Sequence, residues 1–320
     1  MDNKNVIISN KTNLKTFFFK WEWILLVLFI IINIVNSFIS PYYLNVNQLL
    51  DATMTFLDKA FIVFPMIFIL ILGDIDISVG SIVALSSVIM AVLYNFGVPM
   101  LAAIIIGLLV GTFCGFLNGF LITKFNLSSI IVTLSTMILY RGIAYIILKD
   151  QAAGNFPHWY SFLGWGYIGG IPFILIIFTI FAITFGLLLH KTTFGRYVYA
   201  IGNNIKAARF SGIKVDNIKI IVFTLAGFMS AITALFLTSK MGSTRPNVAL
   251  GYELDVITMA VFGGVSTAGG KGGIIGPIIS IFTIGLLRYG LGLINTPAPT
   301  MLVIVGFLLI LAVLITNFKK

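Results

Sequence analysis

Long apolar segments dominate this chain and restrict it to one class of fold. Of its 320 residues 59% are apolar and only 9% are charged, and the mean hydropathy is +1.09. Soluble domains carry about 25% charged residues, whereas a membrane-spanning helix needs about 20 mostly apolar ones. The sequence therefore predicts an all-α, polytopic integral membrane protein.

Ten segments are apolar enough to be candidate spans. Glycine or acidic residues interrupt the edges of the third, eighth and ninth. The ten segments cover residues 23–40, 57–73, 77–94, 99–122, 128–148, 171–189, 217–239, 252–267, 273–293 and 299–316. No separate soluble domain is visible, so we treat residues 1–320 as a single membrane domain.

The distribution of cations predicts how these spans are oriented. Cytoplasmic connections of membrane proteins carry an excess of Lys and Arg, and ten spans with both termini in the cytoplasm place most cations there. The exceptions are Lys149, Lys240 and Arg245. The polar, basic tail at residues 1–22 and the connector at residues 190–216 are then cytoplasmic. The net charge of +10 is explained by topology, so nucleic acid is not expected as a partner.

The basic connector has internal structure of its own. Residues 190–219 contain six Lys and Arg residues against the single acid Asp216. Residues 206–209 are typical of a short helix, with Gly202 before it and Gly212 after it. A short helix on the cytoplasmic face of a polytopic protein indicates a docking element.

Two acidic residues lie where charge is costly. In residues 73–81, Asp74 and Asp76 separate two apolar runs, and a charge at bilayer depth costs roughly 2.5–3.5 kcal/mol. If the segment is extended, Asp74, Asp76 and Ser78 share one side. One interpretation is a broken segment beside a hydrophilic pathway; the other is a tight cytoplasmic turn with solvated carboxylates.

A glycine-rich segment at residues 262–273 has two interpretations as well. It follows Glu253 and Asp255, and could flank the pathway or serve close helix packing. It is not a nucleotide-binding loop, because Val265 occupies the required first glycine and Gly272 follows Lys271. Elsewhere in the spans, Arg141 is expected to pair with a carboxylate or reach the interface, and Asn118 to hydrogen bond across helices.

The sequence lacks the residue patterns of an enzyme. His158 and His190 are predicted on opposite faces of the membrane, and the single cysteine, Cys114, lies in an apolar run. There is no His-Glu-x-x-His motif and no Gly-x-Ser-x-Gly motif. Transport and scaffolding remain, and aromatic residues at 159, 160, 165 and 167 suggest an interfacial segment on the outer face.

Several motifs in order resemble one family. Residues 193–213, TFGRYVYAIGNNIKAARFSGI, look like the signature cytoplasmic loop of the ribose-type sugar permeases of bacterial ABC importers. Residues 73–81, GDIDISVGS, are similar to that family's Gly-Gly-Ile-Asp-Leu-Ser-Val-Gly. The resemblance continues at residues 118–119, 131–136, 141–142 and 263–276, and covers about residues 21 to 315.

The resemblance implies a permease in the bacterial cytoplasmic membrane that carries no cofactor itself. Its partners would be an ABC ATPase that binds ATP, a second permease subunit that is identical or different, an extracytoplasmic sugar-binding protein, the sugar and membrane lipid. Residues matching the helix received by the ATPase are Gly202, Asn203, Ala207, Ala208, Arg209 and Gly212. Candidates for the translocation path are Asp74, Asp76, Ser78, Asn118, Thr133, Arg141, Glu253 and Asp255.

One departure from the ribose pattern concerns the solute. Asp74 stands where ribose permeases usually have glycine, and an acidic residue there is more similar to the rhamnose and autoinducer-2 branch. The expected function is import of a monosaccharide or sugar-like solute. The main alternative is an ion-coupled secondary transporter, since such proteins carry carboxylates in broken helices; a purely structural subunit is a third.

Overall fold

The computed structural model describes residues 21–40 and 43–317, and helices make up most of it. The expected tail, residues 1–22, lies outside the described residues except for Trp21 and Glu22. The helices are α1 Trp21–Ile39, α2 Val46–Ile71, α3 Val79–Asn95, α4 Met100–Lys124, α5 Ser129–Leu148, α6 Ser161–Trp165, α7 Phe173–Lys191, α8 Thr193–Asn203, α9 Ile205–Phe210, α10 Val215–Met241, α11 Tyr252–Phe262, α12 Ile275–Leu293 and α13 Ala298–Asn317.

Every predicted span coincides with a helix, although two helices are short. Within the described residues, seven helices are long and apolar enough to cross a membrane, namely α1, α2, α4, α5, α7, α10 and α12. Helix α3 has 17 residues and α11 only 11. The prediction of a continuous eighth span at residues 252–267 is therefore wrong, because α11 stops where the glycine-rich segment begins. The polytopic all-α architecture is confirmed.

Helix α2 is the central helix of the bundle. It is buried along nearly its whole length from Ala52 onward, and it packs against α7, α10, α11 and α12. On one side, Phe61 stacks on Phe236 with ring centroids 4.9 Å apart, and Phe64 stacks on Phe185 at 5.5 Å. From Ala60 to Ile71 every residue of α2 is apolar, which suits such a buried position.

Glycines bring α4 and α10 into backbone contact. Gly107, Gly111, Gly115 and Gly119 recur every four residues and lie on one face of α4. A Cβ atom on Gly115 would lie 2.3 Å from the carbonyl oxygen of Phe223, and one on Gly227 would lie 2.2 Å from that of Gly111. Small residues at this spacing permit close crossing of membrane helices. This contact fixes α10 against α4.

The segment between α5 and α7 folds over one end of the bundle. It contains β1 Ala153–Gly154, which pairs antiparallel with β4 Ser243–Thr244, and the β2 Tyr167–Ile168 and β3 Ile171–Pro172 hairpin. About half of the side-chain surface is exposed at Trp159 and Trp165. Tyr160 departs from the predicted interfacial role, because it is buried and lies 2.6 Å from the Thr238 hydroxyl.

Candidate functional site

The chain between α2 and α3 is a non-helical segment buried in the protein. Residues 72–78 form what we name the first interruption. Asp74 is 8% exposed, Asp76 and Ser78 are 0% exposed, and Ile75 and Ile77 are only partly buried. The alternation predicted from the sequence is therefore present, with the polar side chains turned inward. The alternative of a tight turn with solvated carboxylates is wrong.

Helix α5 and helix α10 supply partners for this segment. The Ile75 amide donates to Ser129 Oγ at 3.3 Å, and the Thr133 hydroxyl lies 3.4 Å from the Ile75 carbonyl oxygen. Asp74 forms an ion pair with Lys219 of α10, with 2.7 Å between Oδ2 and Nζ. A non-helical backbone at membrane depth requires such partners because no water can supply them.

A chain of polar side chains joins the first interruption to α4 and α5. Asp76 Oδ1 accepts hydrogen bonds from the Ser78 amide at 2.8 Å and the Ser78 hydroxyl at 2.6 Å. Asn118 donates to Ser78 Oγ at 2.8 Å, and its Oδ1 lies 3.0 Å from the Tyr140 hydroxyl. The predicted hydrogen bond of Asn118 across helices is confirmed. Tyr140 was missed by sequence reasoning.

These contacts place the start of α3 well inside the bundle. Asn118 lies six residues before the last residue of α4, Lys124, which corresponds to about 9 Å along a helix axis. Val79, the first residue of α3, follows Ser78 at this depth. The first interruption therefore runs from the end of α2 into the interior before helical structure resumes.

A second interruption, residues 242–251, lies between α10 and α11. Gly242, Ala249 and Gly251 have positive φ angles of 66°, 55° and 81°. Arg141 of α5 donates to the carbonyl oxygens of Pro246 at 2.8 Å and Val248 at 2.6 Å. The expectation that Arg141 pairs with a carboxylate is wrong, because unpaired backbone carbonyls take that place.

The second interruption touches α3, the helix that follows the first interruption. A Cβ atom on Gly80, at the start of α3, would lie 2.7 Å from the Ala249 carbonyl oxygen and 2.6 Å from the Glu253 carboxylate. Ser87 and Thr244 are within hydrogen-bond distance at 2.8 Å. Glycine at position 80 is required for this approach. Glu253, a predicted path residue, thus lies beside the first turn of α3.

A cavity of about 330 Å³ opens beside the second interruption. Its polar lining combines hydroxyl, amide, guanidinium and phenol groups. The lining residues are Leu237, Met241, Ser243, Thr244, Arg245, Asn247, Val248, Ala249 and Tyr252. Such groups can exchange hydrogen bonds with a polyhydroxylated solute.

A group of charged side chains lies between α2, α10, α11 and α12. Asp255 forms an ion pair with Lys59 and accepts two hydrogen bonds from Arg288, at 2.7 and 2.8 Å. Lys240 forms an ion pair with Asp58 at 2.7 Å. We name this the charged cluster; its members are Asp58, Lys59, Lys240, Asp255 and Arg288.

Sequence reasoning assigned only Asp255 of the charged cluster. The available signal was the Asp58-Lys59 pair inside an otherwise apolar run, since charges within a span are costly. Lys240, an exception to the predicted charge distribution, is explained by its ion pair with Asp58. Asp255 therefore belongs to a different group of side chains from the other predicted carboxylates, because its partners are Lys59 and Arg288.

The basic connector packs its first helix against the end of α2. A Cβ atom on Gly202 would lie 1.8 Å from the Ile71 carbonyl oxygen, which also accepts a hydrogen bond from the Gly270 amide at 2.8 Å. The Tyr199 hydroxyl donates to the Gly272 carbonyl oxygen at 2.7 Å. Gly202 precedes the short helix as predicted, and it lies within α8.

The second helix of the connector is α9, and its prediction is confirmed. Asn204 caps it by accepting from the Ala207 amide at 3.0 Å, and Gly212 follows it with a φ of 81°. This geometry is a common way to begin and end a helix. Ala208 is buried, whereas Phe210 is 92% exposed.

The other residues predicted to dock on a partner are accessible. Asn203 and Ala207 are exposed, and Asn203 donates to the Tyr199 carbonyl oxygen at 2.8 Å. Arg209 forms an exposed ion pair with Asp216 at 2.8 Å. An exposed Phe beside an exposed Arg, on a helix whose opposite side is buried, is a surface suited to a protein partner.

The residues predicted for the translocation path thus fall into three places. Five surround the first interruption, two lie at the second interruption, and one belongs to the charged cluster. In that order they are Asp74, Asp76, Ser78, Asn118 and Thr133, then Arg141 and Glu253, then Asp255.

Comparison with known proteins shows the family. The family described as branched-chain amino acid transport system / permease component matches residues 48–313. The ribose import permease of Bacillus subtilis (strain 168) is 40% identical over 299 residues, covering 92% of this chain and 91% of that protein. The autoinducer 2 import system permease LsrD of Enterobacter sp. (strain 638) is 32% identical over 300 residues, with 92% of each covered.

A third relative agrees with these two. The ribose import permease of Escherichia coli (strain K12) is 33% identical over 300 residues, covering 92% of this chain and 93% of that protein. No solved structure matches the chain. The family model and the relatives each cover most of the chain, including both interruptions and the connector. The chain therefore belongs to the multi-pass membrane permeases of bacterial ABC importers, in the family that contains the ribose and autoinducer 2 import permeases.

Proposed function

We propose that the chain, paired with a second permease subunit, forms the pathway by which a monosaccharide or sugar-like solute enters the cell. ABC permeases are not themselves catalytic, so ATP is bound by a separate ATPase subunit. The relatives described above are named as import permeases for ribose and for autoinducer 2. The cavity at the second interruption has hydrogen-bonding side chains set among apolar ones, which supports a solute that carries hydroxyl groups. An extracytoplasmic binding protein would deliver it.

The proposed topology has ten spans and both termini in the cytoplasm. The ends of α4 and α7 carry Lys124 and Lys191, and α9 carries Lys206 and Arg209, all at the end of the bundle that contains the connector. Excess positive charge favours the cytoplasmic side. In this arrangement α3 with the first interruption, and the second interruption with α11, each count as one broken span of a single domain.

One observation carries the coupling mechanism: the connector touches the chain that leads into the first interruption. Gly202 of α8 contacts the Ile71 carbonyl, and Asp74 two residues beyond Leu72 is tied by Lys219 to α10, which follows α9. We infer that residues 190–216 dock on the ATPase through Gly202, Asn203, Ala207, Ala208, Arg209 and Gly212. Movement of α8 and α9 would then displace residues 72–78 directly.

The residues of the two interruptions would line or gate the pathway. Asp76, Ser78 and Asn118 form a hydrogen-bonded unit that can rearrange as a whole when α3 moves against α4. Asp74 ties the same segment to α10 through Lys219, and Thr133 holds it from α5. Arg141 binds the second interruption, and Glu253 lies beside the start of α3. Asp255 ties α11 to α12 through Arg288.

Transport in proteoliposomes tests the proposed function. The chain is reconstituted with its ATPase, the binding protein is added, and uptake of radiolabelled ribose and of autoinducer 2 is measured. We expect uptake that requires both ATP and binding protein. Uptake by the chain alone, driven by an ion gradient, would instead support the secondary transporter that the sequence left open.

A charge reversal tests the docking surface. Because Arg209 is exposed and its ion pair with Asp216 is exposed as well, Arg209→Glu should leave the fold stable and reduce co-purification of the ATPase about tenfold. The control is Lys149→Glu, which reverses an exposed charge at the opposite end of the bundle. Equal ATPase recovery with both variants would contradict the assignment of the docking surface.

A further inference from the structure

The charged cluster contains more positive than negative charge. Lys59, Lys240 and Arg288 face the two carboxylates of Asp58 and Asp255. The side chains of all five are at most 21% exposed. Buried charges are normally paired, because removing an unpaired ion from water is expensive. One positive charge of the cluster has no carboxylate of its own among the described residues.

The excess charge is located at Lys59 and Arg288. Lys240 is matched by Asp58, whereas Asp255 is shared by Lys59 and Arg288. Both oxygens of Asp255 are occupied, Oδ1 and Oδ2 by Arg288 and Oδ2 also by Lys59. Arg288 Nε is buried and has no hydrogen-bond acceptor in the described part of the chain. A guanidinium donor and an ammonium group are therefore available to a further acceptor.

Both groups line one cavity between α2 and α12. Its volume is about 330 Å³, and its lining is Thr55, Phe56, Lys59, Gly285, Arg288, Tyr289, Gly292 and Leu293. Thr55 and Gly292 are exposed and mark its mouth on the surface of the bundle. It is distinct from the cavity at the second interruption, with which it shares no lining residue.

The depth of the cavity limits what reaches it. Arg288 lies five residues before Leu293, the last residue of α12, so it is about 8 Å from the end of that helix. This end is opposite the connector, because Ile275 at the other end follows the glycine-rich segment. A group at headgroup level, or one dissolved in the outer aqueous phase, can reach Arg288 without crossing the bundle.

We propose that this cavity binds a phosphate group. Phosphate matches the excess positive charge, and its oxygens accept hydrogen bonds from a guanidinium and an ammonium group at once. The lining also includes Tyr289, Phe56 and Leu293, whose apolar surface suits a phosphate ester with a hydrocarbon part. The phosphate comes from a lipid headgroup or from solution. The site does not depend on which solute the permease carries.

Thermal stability of the purified permease, with its ATPase, tests this. One arm compares nanodiscs of phosphatidylglycerol with nanodiscs of digalactosyldiacylglycerol, a lipid whose headgroup contains no phosphate; the other compares inorganic phosphate with chloride at equal ionic strength in detergent. We expect a higher Tm with phosphatidylglycerol if the source is lipid, and with inorganic phosphate if it is free phosphate. Native mass spectrometry then measures the affinity of the permease for whichever phosphate compound raised the Tm.

Two variants change the charge balance in opposite directions. Lys59→Gln leaves two cations against two carboxylates, and should weaken binding about tenfold. Asp255→Asn leaves three cations against one carboxylate, and should strengthen binding by a similar factor. Arg245→Gln is the control, because it removes an exposed cation that does not line the cavity.

Three outcomes would overturn the proposal. The first is a wild-type permease whose Tm responds to neither phosphatidylglycerol nor inorganic phosphate. The second is an Lys59→Gln variant with wild-type affinity. The third is an Arg245→Gln variant that loses as much affinity as Lys59→Gln, which would indicate general surface electrostatics. If Lys59→Gln fails to fold, Asp255→Asn still decides, because unchanged or weaker binding would contradict the charge argument.

Discussion

Both interruptions contain backbone groups outside helices, and side chains of opposite charge form hydrogen bonds with those groups. Residues 72–78 precede the first turn of α3, and Asp76 accepts hydrogen bonds from the Ser78 amide and hydroxyl. Residues 242–251 follow the last turn of α10, and Arg141 donates to the carbonyls of Pro246 and Val248. Both leave backbone groups away from water, yet one takes a carboxylate and the other a guanidinium.

The difference follows from which backbone groups are left free. At the start of a helix the N–H groups are free and carry partial positive charge, so a carboxylate is the natural partner at the start of α3. Pro246 and Val248 lie in non-helical chain beyond Met241, the last residue of α10, and their free carbonyl oxygens require a donor such as the Arg141 guanidinium. The charged residues in these spans are therefore explained by backbone groups as well as by transport.

Replacement of Arg141 should have the largest effect. Arg141→Met leaves two partly buried carbonyls without donors, and hydrogen bonds to charged groups contribute about 1.5–3 kcal/mol each. We expect the free energy of unfolding in detergent to fall by about 3 kcal/mol or more, and uptake to be lost. Arg141→Lys is the control, since one ammonium can still reach a carbonyl. Equal stability of wild type and Arg141→Met would show that the second interruption keeps its conformation without the Arg141 side chain.

Replacement of Asp76 should affect uptake more than stability. Asp76→Leu leaves the Ser78 amide without its acceptor, at a cost of about 1–3 kcal/mol, but it also removes a buried carboxylate. We therefore expect a smaller loss in Tm than for Arg141→Met and a block of uptake with normal assembly. Asp76→Asn, which keeps an acceptor oxygen, should restore stability. Normal uptake by Asp76→Leu would remove Asp76 from the pathway.

Removal of one hydroxyl should have the smallest effect. Tyr140→Phe deletes the hydrogen bond to Asn118 Oδ1 and leaves Asn118 bound to Ser78. A single neutral hydrogen bond contributes about 1 kcal/mol, so a small fall in Tm and nearly normal uptake are expected. Combining Tyr140→Phe with Asp76→Leu measures coupling along the chain. Strictly additive effects would contradict a connected network.

Hydropathy and motif order predicted most of the fold. The positions of ten helices, the short helix α9 and the family follow from apolar periodicity, capping residues and the TFGRYVYAIGNN segment, because each depends on neighbouring residues along the chain. Alternation also predicted that Asp74, Asp76 and Ser78 share one side of residues 73–81, but it did not decide whether that side faces the interior. Hydropathy alone did not predict the start of α2 at Val46 or the end of α11 at Phe262. Polar residues near the start of α2 hid a helical segment, and the apolar run that continues past Phe262 hid the end of α11 at the glycines.

The partners of the charged residues were decided only by the tertiary structure. The sequence determined that Asp58, Lys59, Arg141, Lys240, Asp255 and Arg288 lie in or near apolar spans, where each charge requires a partner. Which partner each one has depends on contacts between residues separated by as many as 196 positions, as for Lys59 and Asp255. Packing of α2 against α10, α11 and α12 determines these pairs, and patterns of neighbouring residues along the chain do not predict that packing.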